Sequence, residues 1–251
     1  MRLKLFILLI TFLSVVASAT DYDVLQRRAT MFYDQEEWLS ASAMYTLMID
    51  QRPQVVDTYS RAIISAAMRN DTLMQTDLLE KSFQNHIPFD SLYSHVKTLS
   101  FDLGKTDLYE NFLLRTQMSY PWLSRNIDSQ LLKYYSFRRN GTKMEEYALK
   151  MLNGIENKPE SIPFREILAD AYLLQGEKNK AIEAYYSILK LDADNYDTLI
   201  ELGNCYYSAF IEDNSDSESK KLAIEHLLKA NSIKPTPFVT KILSDLQPPT
   251  K

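Results

Sequence analysis

Three features of the sequence predict an all-α fold made of repeated helical hairpins. Small and aromatic residues recur at helical spacing, as in Ala169, Tyr172, Ala181, Tyr185 and Ile188. Positions that close a hairpin return at regular intervals, at Pro53, Pro88, Pro121, Pro159, Ala193 and Pro235. The chain has only 5 glycines in 251 residues, too few for a sheet protein built on tight turns.

The pattern is clearest from Pro163 to Pro235. Leu168-Ala169, Tyr172, Gly176, Ala181, Tyr185 and Ile188 close at Leu191-Asp192-Ala193, and Leu202-Gly203, Tyr206, Ala223, Leu227 and Ala230 close at Ile233-Lys234-Pro235. Near the N-terminus, Ala29, Phe32, Ala41, Tyr45, Met48 and Pro53 keep the spacings of Ala169, Tyr172, Ala181, Tyr185, Ile188 and Ala193 without a gap. Small residues let two antiparallel helices approach, and aromatics fill the groove beside them. The pattern resembles the tetratricopeptide repeat, a helix-turn-helix unit of roughly 34 residues. The resemblance implies a right-handed α-solenoid over residues 20–235. About six repeats are expected, at 21–53, 54–88, 89–121, 122–159, 160–193 and 194–235, with a capping helix and frayed tail over 236–251.

The middle repeats are less regular. Asp57-Thr58 opens a helix through Tyr59, Ala62, Ile63 and Ala66, and Arg69-Asn70-Asp71 turns into a helix marked by Leu78, Leu79 and Phe83. Gly104 marks the turn of the third repeat and Asn140-Gly141 that of the fourth. Ile211 to Lys221 is a polar insertion that lengthens the sixth repeat, expected as a solvated loop. Thr236 is the expected N-cap of the last helix, Pro237 suits its first position, and Phe238, Ile242, Leu243 and Leu246 form its apolar stripe.

The N-terminus reads as a targeting segment. Arg2 and Lys4 precede the apolar run Leu5–Val16, and Ala17-Ser18-Ala19 offers a cleavage site, so 1–19 is expected to be a signal peptide. The run is short for a bilayer span, and no stable membrane insertion is expected. The chain is therefore expected to be exported, to a periplasm or as a secreted protein. Removing Arg2 and Lys4 takes the formal charge from −5 to −7, a poor balance for nucleic acid. The one cysteine, Cys205, cannot pair internally and falls within a helical pattern where a buried thiol is expected.

Catalytic and metal constellations are missing from the sequence. His86, His95 and His226 fall in different repeats, none beside a second ligand at metal spacing, and His226 is expected on a helix rim. No phosphate-binding loop, dinucleotide fingerprint or nucleophile elbow occurs. No cofactor and no enzymatic activity are expected.

Binding is the better expectation. In the tetratricopeptide family the first helix of each repeat lines a concave face that grips partners. The resemblance therefore puts Gln26 and Tyr33, Arg61, Glu166, Asp170 and Leu173, and Glu201, Asn204 and Tyr207 on such a face. Family members that clamp a peptide carboxylate use Lys and Asn there. The matching positions here hold Gln26 and Thr30, Ser60 and Ile64, Glu166 and Asp170, and Ile200 and Asn204, which argues against a carboxylate clamp. With Glu166, Asp170, Asp197 and Glu201, the C-terminal half favours a neutral or basic protein or peptide. Asp57 and Asp197 also suit helix starts whatever the function. Of the tyrosine pairs Tyr134-Tyr135, Tyr185-Tyr186 and Tyr206-Tyr207, one member each is expected in the packing slot and the other elsewhere. Two further readings fit the same sequence: a glycan-binding module using tyrosines and Trp122, and a structural subunit of a cell-envelope assembly.

Overall fold

The computed structural model describes residues 22–247; the expected signal peptide and the last four residues lie outside the described residues. Thirteen α-helices and no strand occur among the described residues. The chain divides into two compact units, one ending at Ser124 and the other beginning at Arg125.

In the N-terminal unit, α1 (22–34) turns into α2 (Trp38–Gln51), α3 (Val56–Met68) into α4 (Thr72–Gln84), and α5 (Phe89–Asp102) into α6 (Asp107–Ser119). A short 3-10 turn, Pro121–Leu123, ends the unit. Helix α3 is its centre and packs on α2, α4 and α5. Its Ala62, Ile63 and Ala66 are buried, and after the turn the Asp71 side chain accepts the Met74 N–H at 3.0 Å and so caps the start of α4. Ala29 and Ala41 are fully buried, as close helix approach requires.

The C-terminal unit holds α7 (Ser124–Phe137), α8 (Gly141–Leu152), α9 (Ile162–Leu174), α10 (Lys178–Leu189), α11 (Tyr196–Glu212), α12 (Ser217–Ile233) and α13 (Pro237–Leu246). From α8 to α13 each helix packs against the next. Ala169, Ala181, Tyr185, Ile188, Leu202 and Cys205 make one core cluster, and Ala223, Leu227, Val239, Ile242, Leu243 and Leu246 make another. Gly203 is what lets α11 meet α12: a Cβ there would come within 2.6 Å of Leu227 Cγ and Cδ2.

Five of the six hairpin turns, all but the one between α11 and α12, pass through one residue in the left-handed region: Glu36, Asn70, Gly104, Arg139 and Gly176, with φ between 51° and 77°. Only two of these are glycine. The strain at Glu36 and Arg139, on the order of 1 kcal/mol each, is borne by the helix packing on either side.

Four expectations are corrected. The acidic insertion is absorbed by helix extension: α11 and α12 have 17 residues each, and only 213–216 lie between them. Asp216 caps α12 by accepting the Ser219 N–H at 2.9 Å, and Lys178 pairs with Glu212 at 3.1 Å, so polar residues here extend the helices. In α13 the buried stripe uses Val239, while Phe238 is 55% exposed; the Thr236 cap is present, accepting from Val239 N–H. Tyr134 and Tyr135 are both buried, their rings 5.4 Å apart. His226 is buried too, because its Nε2 lies 3.0 Å from the Tyr186 hydroxyl and its ring stacks on Tyr206.

Candidate partner-binding groove

Glu166, Asp170 and Leu173 stand at helical spacing on one face of α9. On α11, Asp197, Glu201 and Asn204 do the same. Asp170 and Glu201 are exposed, Glu166 and Asn204 half-buried, and Leu173 is 36% exposed. The structure brings the carboxylates of the two helices together. Burial first, then Asp197 and Asp170, raises the Glu166 pKa above the ordinary carboxylate value. Burial, then Asp170, raises Glu201, with Asn204 and Asp197 acting in opposite senses. Asp170, though exposed along one edge of its helix face, is raised by partial desolvation as well, and Arg139 and then the Tyr185 hydroxyl oppose the shift. Among the described residues none of the four carboxylates makes an ion pair.

Asp170 and Leu173 also line a cavity of about 600 Å³ formed with α7 and α8. Its cationic rim is Lys133 and Arg139, and its apolar wall includes Met144, Ile167 and Leu174. The Ser136 hydroxyl faces this space buried and without a hydrogen-bond partner. An anionic edge beside an apolar wall suits a peptide that carries both characters.

Sequence reasoning missed one participant. Tyr185 of α10 is 2% exposed and belongs to the core, yet its hydroxyl faces the Asp170 carboxylate and among the described residues no donor reaches its oxygen. That hydroxyl lies among Asp170, Glu201 and Glu166, and burial followed by these charges pushes its pKa far up. Tyr185 fills a packing position, and nothing in its spacing signals the second role.

The other expected site residues are dispersed. Tyr207 is half-buried against the cluster made by Ala223, Leu227, Val239, Ile242, Leu243 and Leu246. In the N-terminal unit, Gln26 is exposed and Arg61 half-buried. Tyr33, expected on an open face, is 7% exposed: its ring meets Trp38 at 5.2 Å and Tyr45 at 6.1 Å, and Arg61 lies 5.1 Å over it. It is a wall of the interior, with Phe32 taking the more open position.

Among the described residues no group of His, Cys, Asp and Glu is placed to hold a metal ion, and no helix is long and apolar enough to cross a membrane.

No model of a known protein family matches the chain, and no curated protein matches it. Solved structures of tetratricopeptide-repeat proteins resemble it at low identity. The C-terminal part of such a protein from Cytophaga hutchinsonii shares 14% identity at a TM-score of 0.47, over 90% of this chain and 96% of that one. A tetratricopeptide-repeat protein from Parabacteroides merdae shares 14% at 0.42, over 90% and 84%. YrrB, described as a tetratricopeptide-repeat protein with an unusual peptide-binding site, shares 16% at 0.32, over 86% and 88%. The fold itself rests on this chain's own helix order and buried slot residues: it is all-α, a tandem series of helical hairpins.

Proposed function

We propose that this protein is an exported, non-enzymatic scaffold that binds a peptide or protein segment on the α9–α11 face of its C-terminal unit. One observation carries the reading: four carboxylates of α9 and α11 lie close enough for Asp170 and Asp197 to raise the pKa of Glu166 and Glu201, none in an ion pair among the described residues, beside a cavity with an apolar wall. Like charges at i, i+4, as in Glu166 with Asp170 and Asp197 with Glu201, oppose helix stability by a few tenths of a kcal/mol each. Such an arrangement is retained at a cost, and a neutral or basic partner relieves it. The reading of export rests on Arg2, Lys4, the apolar Leu5–Val16 and Ala17-Ser18-Ala19. The glycan alternative keeps Trp122, which is 74% exposed, but two of its tyrosines, Tyr134 and Tyr135, are buried.

The test is cross-linking capture in the native compartment, followed by mass spectrometry. The wild type is compared with a variant carrying Asp170→Lys, Glu201→Lys and Tyr207→Ala, with circular dichroism showing that both are folded. A partner captured by the wild type and lost by the variant supports the reading. Equal capture by both rejects this face as the site.

A further inference from the structure

The two units hold the same slot with opposite charge. At one constant offset along the chain, Thr30, Tyr45, Asp57 and Arg61 correspond to Asp170, Tyr185, Asp197 and Glu201. In the N-terminal unit the slot is filled from within. The Arg61 Nε donates to Asp57 Oδ2 at 2.9 Å, and the guanidinium lies 5.1 Å over the Tyr33 ring and beside the Tyr45 hydroxyl. One resident cation thus faces one carboxylate and two phenols.

In the C-terminal unit the cation is replaced by Glu201, and Asp170 adds a further carboxylate where Thr30 stands. The phenol remains. The buried Tyr45 hydroxyl has Arg61 and Thr30 for neighbours, whereas the buried Tyr185 hydroxyl faces Asp170, with Glu201 and Glu166 about it. The Tyr185 phenol can give its one proton only towards a carboxylate such as Asp170, and among the described residues no donor reaches its oxygen. The cation that acts on Asp170 is Arg139, which lines the adjoining cavity, and among the described residues the two form no ion pair.

We propose that this slot, made by Glu166, Asp170 and Glu201 over the Tyr185 hydroxyl, takes an arginine side chain of the bound segment. The inference rests on the α9–α11 face being the partner site. The guanidinium is favoured because Arg61 already shows that a slot of this geometry accommodates one. Its planar fork can reach more than one carboxylate while a remaining N–H points at the phenol oxygen. The apolar wall of the adjoining cavity, Ile167 and Leu173 with Leu174, suits an aliphatic residue next to the arginine.

The experiment uses the full-length protein and fluorescein-labelled, N-acetylated and C-amidated Gly-Leu-X-Leu-Gly peptides, with X as Arg, Lys, citrulline or Glu. Binding is read by fluorescence anisotropy. The Arg peptide should bind roughly tenfold or more tightly than its neutral isostere citrulline, the size of one to two charge-assisted hydrogen bonds. Asp170→Asn with Glu201→Gln should erase that preference, Tyr185→Phe should reduce it, and Asp57→Asn with Arg61→Gln should leave it intact. Equal binding of the Arg and citrulline peptides, a preference surviving the double variant, or no binding of the Arg peptide would each overturn the slot. A Lys peptide that binds as tightly as Arg would overturn the choice of guanidinium. All of these outcomes leave the cross-linking comparison to judge the face itself, so the two failures are separable.

Discussion

Replacing Gly203 by alanine should destabilise the protein, although alanine is the better helix former. Gly203 lies inside α11, where the exchange alone would gain about 1 kcal/mol from the lower conformational entropy of alanine. Against this stands the contact: the new Cβ would meet Leu227 Cγ and Cδ2 at 2.6 Å, both residues being buried at the α11–α12 interface. A branch-point carbon cannot move aside as a chain end does, so the interface must open or Leu227 must leave its rotamer. Overpacking of this kind costs about 1–3 kcal/mol, leaving a net loss of about 1 kcal/mol. For a chain of this size that lowers Tm by roughly 2–4 °C. Thermal unfolding followed by circular dichroism measures it. A double-mutant cycle with Leu227→Ala locates the cause, since the coupling should reach at least about 0.5 kcal/mol. A Tm that is unchanged or raised, or additive changes in the cycle, would refute the close approach of the two helices.

Three further outcomes follow from the charges and the buried groups. Asp170 and Glu201 have raised pKa values in the folded state, so their contribution is fully present below the unfolded carboxylate values, near 4, and is lost as pH rises through the folded values. Asp170→Asn with Glu201→Gln should accordingly be more stable than the wild type at pH 7, by a few tenths of a kcal/mol per relieved pair, and the gain should vanish near pH 4, as urea titrations at both values would show. His226 has a lowered pKa, chiefly from burial, so the unfolded chain takes up its proton first as pH falls below about 6.5 and stability declines from there. His226→Gln should remove that part of the decline, and an unchanged slope between pH 7.5 and 5 would contradict the buried, neutral ring. Burial, then Glu201, pushes the Cys205 thiol up to about 11, so the native protein should react with a disulfide reagent on the order of a hundredfold more slowly than the urea-unfolded chain.

The fold was legible in the sequence because close helix packing leaves few options. Ala29, Ala41, Ala169, Ala181 and Ala223 are fully buried, and their spacing could be read directly. The acidic face was legible as composition, since Glu166, Asp170, Asp197 and Glu201 fall at i, i+4 on two first helices. What the sequence hid depends on contacts between distant segments. Residues 211–221 look like a loop by polarity, but Asp216 and Lys178 supply the cap and the ion pair that make them helix. His226 looks like a rim residue until the phenols of Tyr186 and Tyr206 arrive from α10 and α11. Phe32 and Tyr33 are adjacent aromatics, and only Trp38, Tyr45 and Arg61 decide that the second is the buried one. Tyr185 shows the same limit, since its ring belongs to the core while its hydroxyl faces Asp170 of a different helix.

The central claim is that the partner lies on the face of α9 and α11. Hydrogen exchange of the full-length protein, free and with the cross-linked partner, tests it most directly. The account predicts slowed exchange over α9 (Ile162–Leu174) and the first turns of α11, with α10 and α12 little changed. Protection confined to α10, α12 or α13 would contradict it and place the partner on the opposite helices.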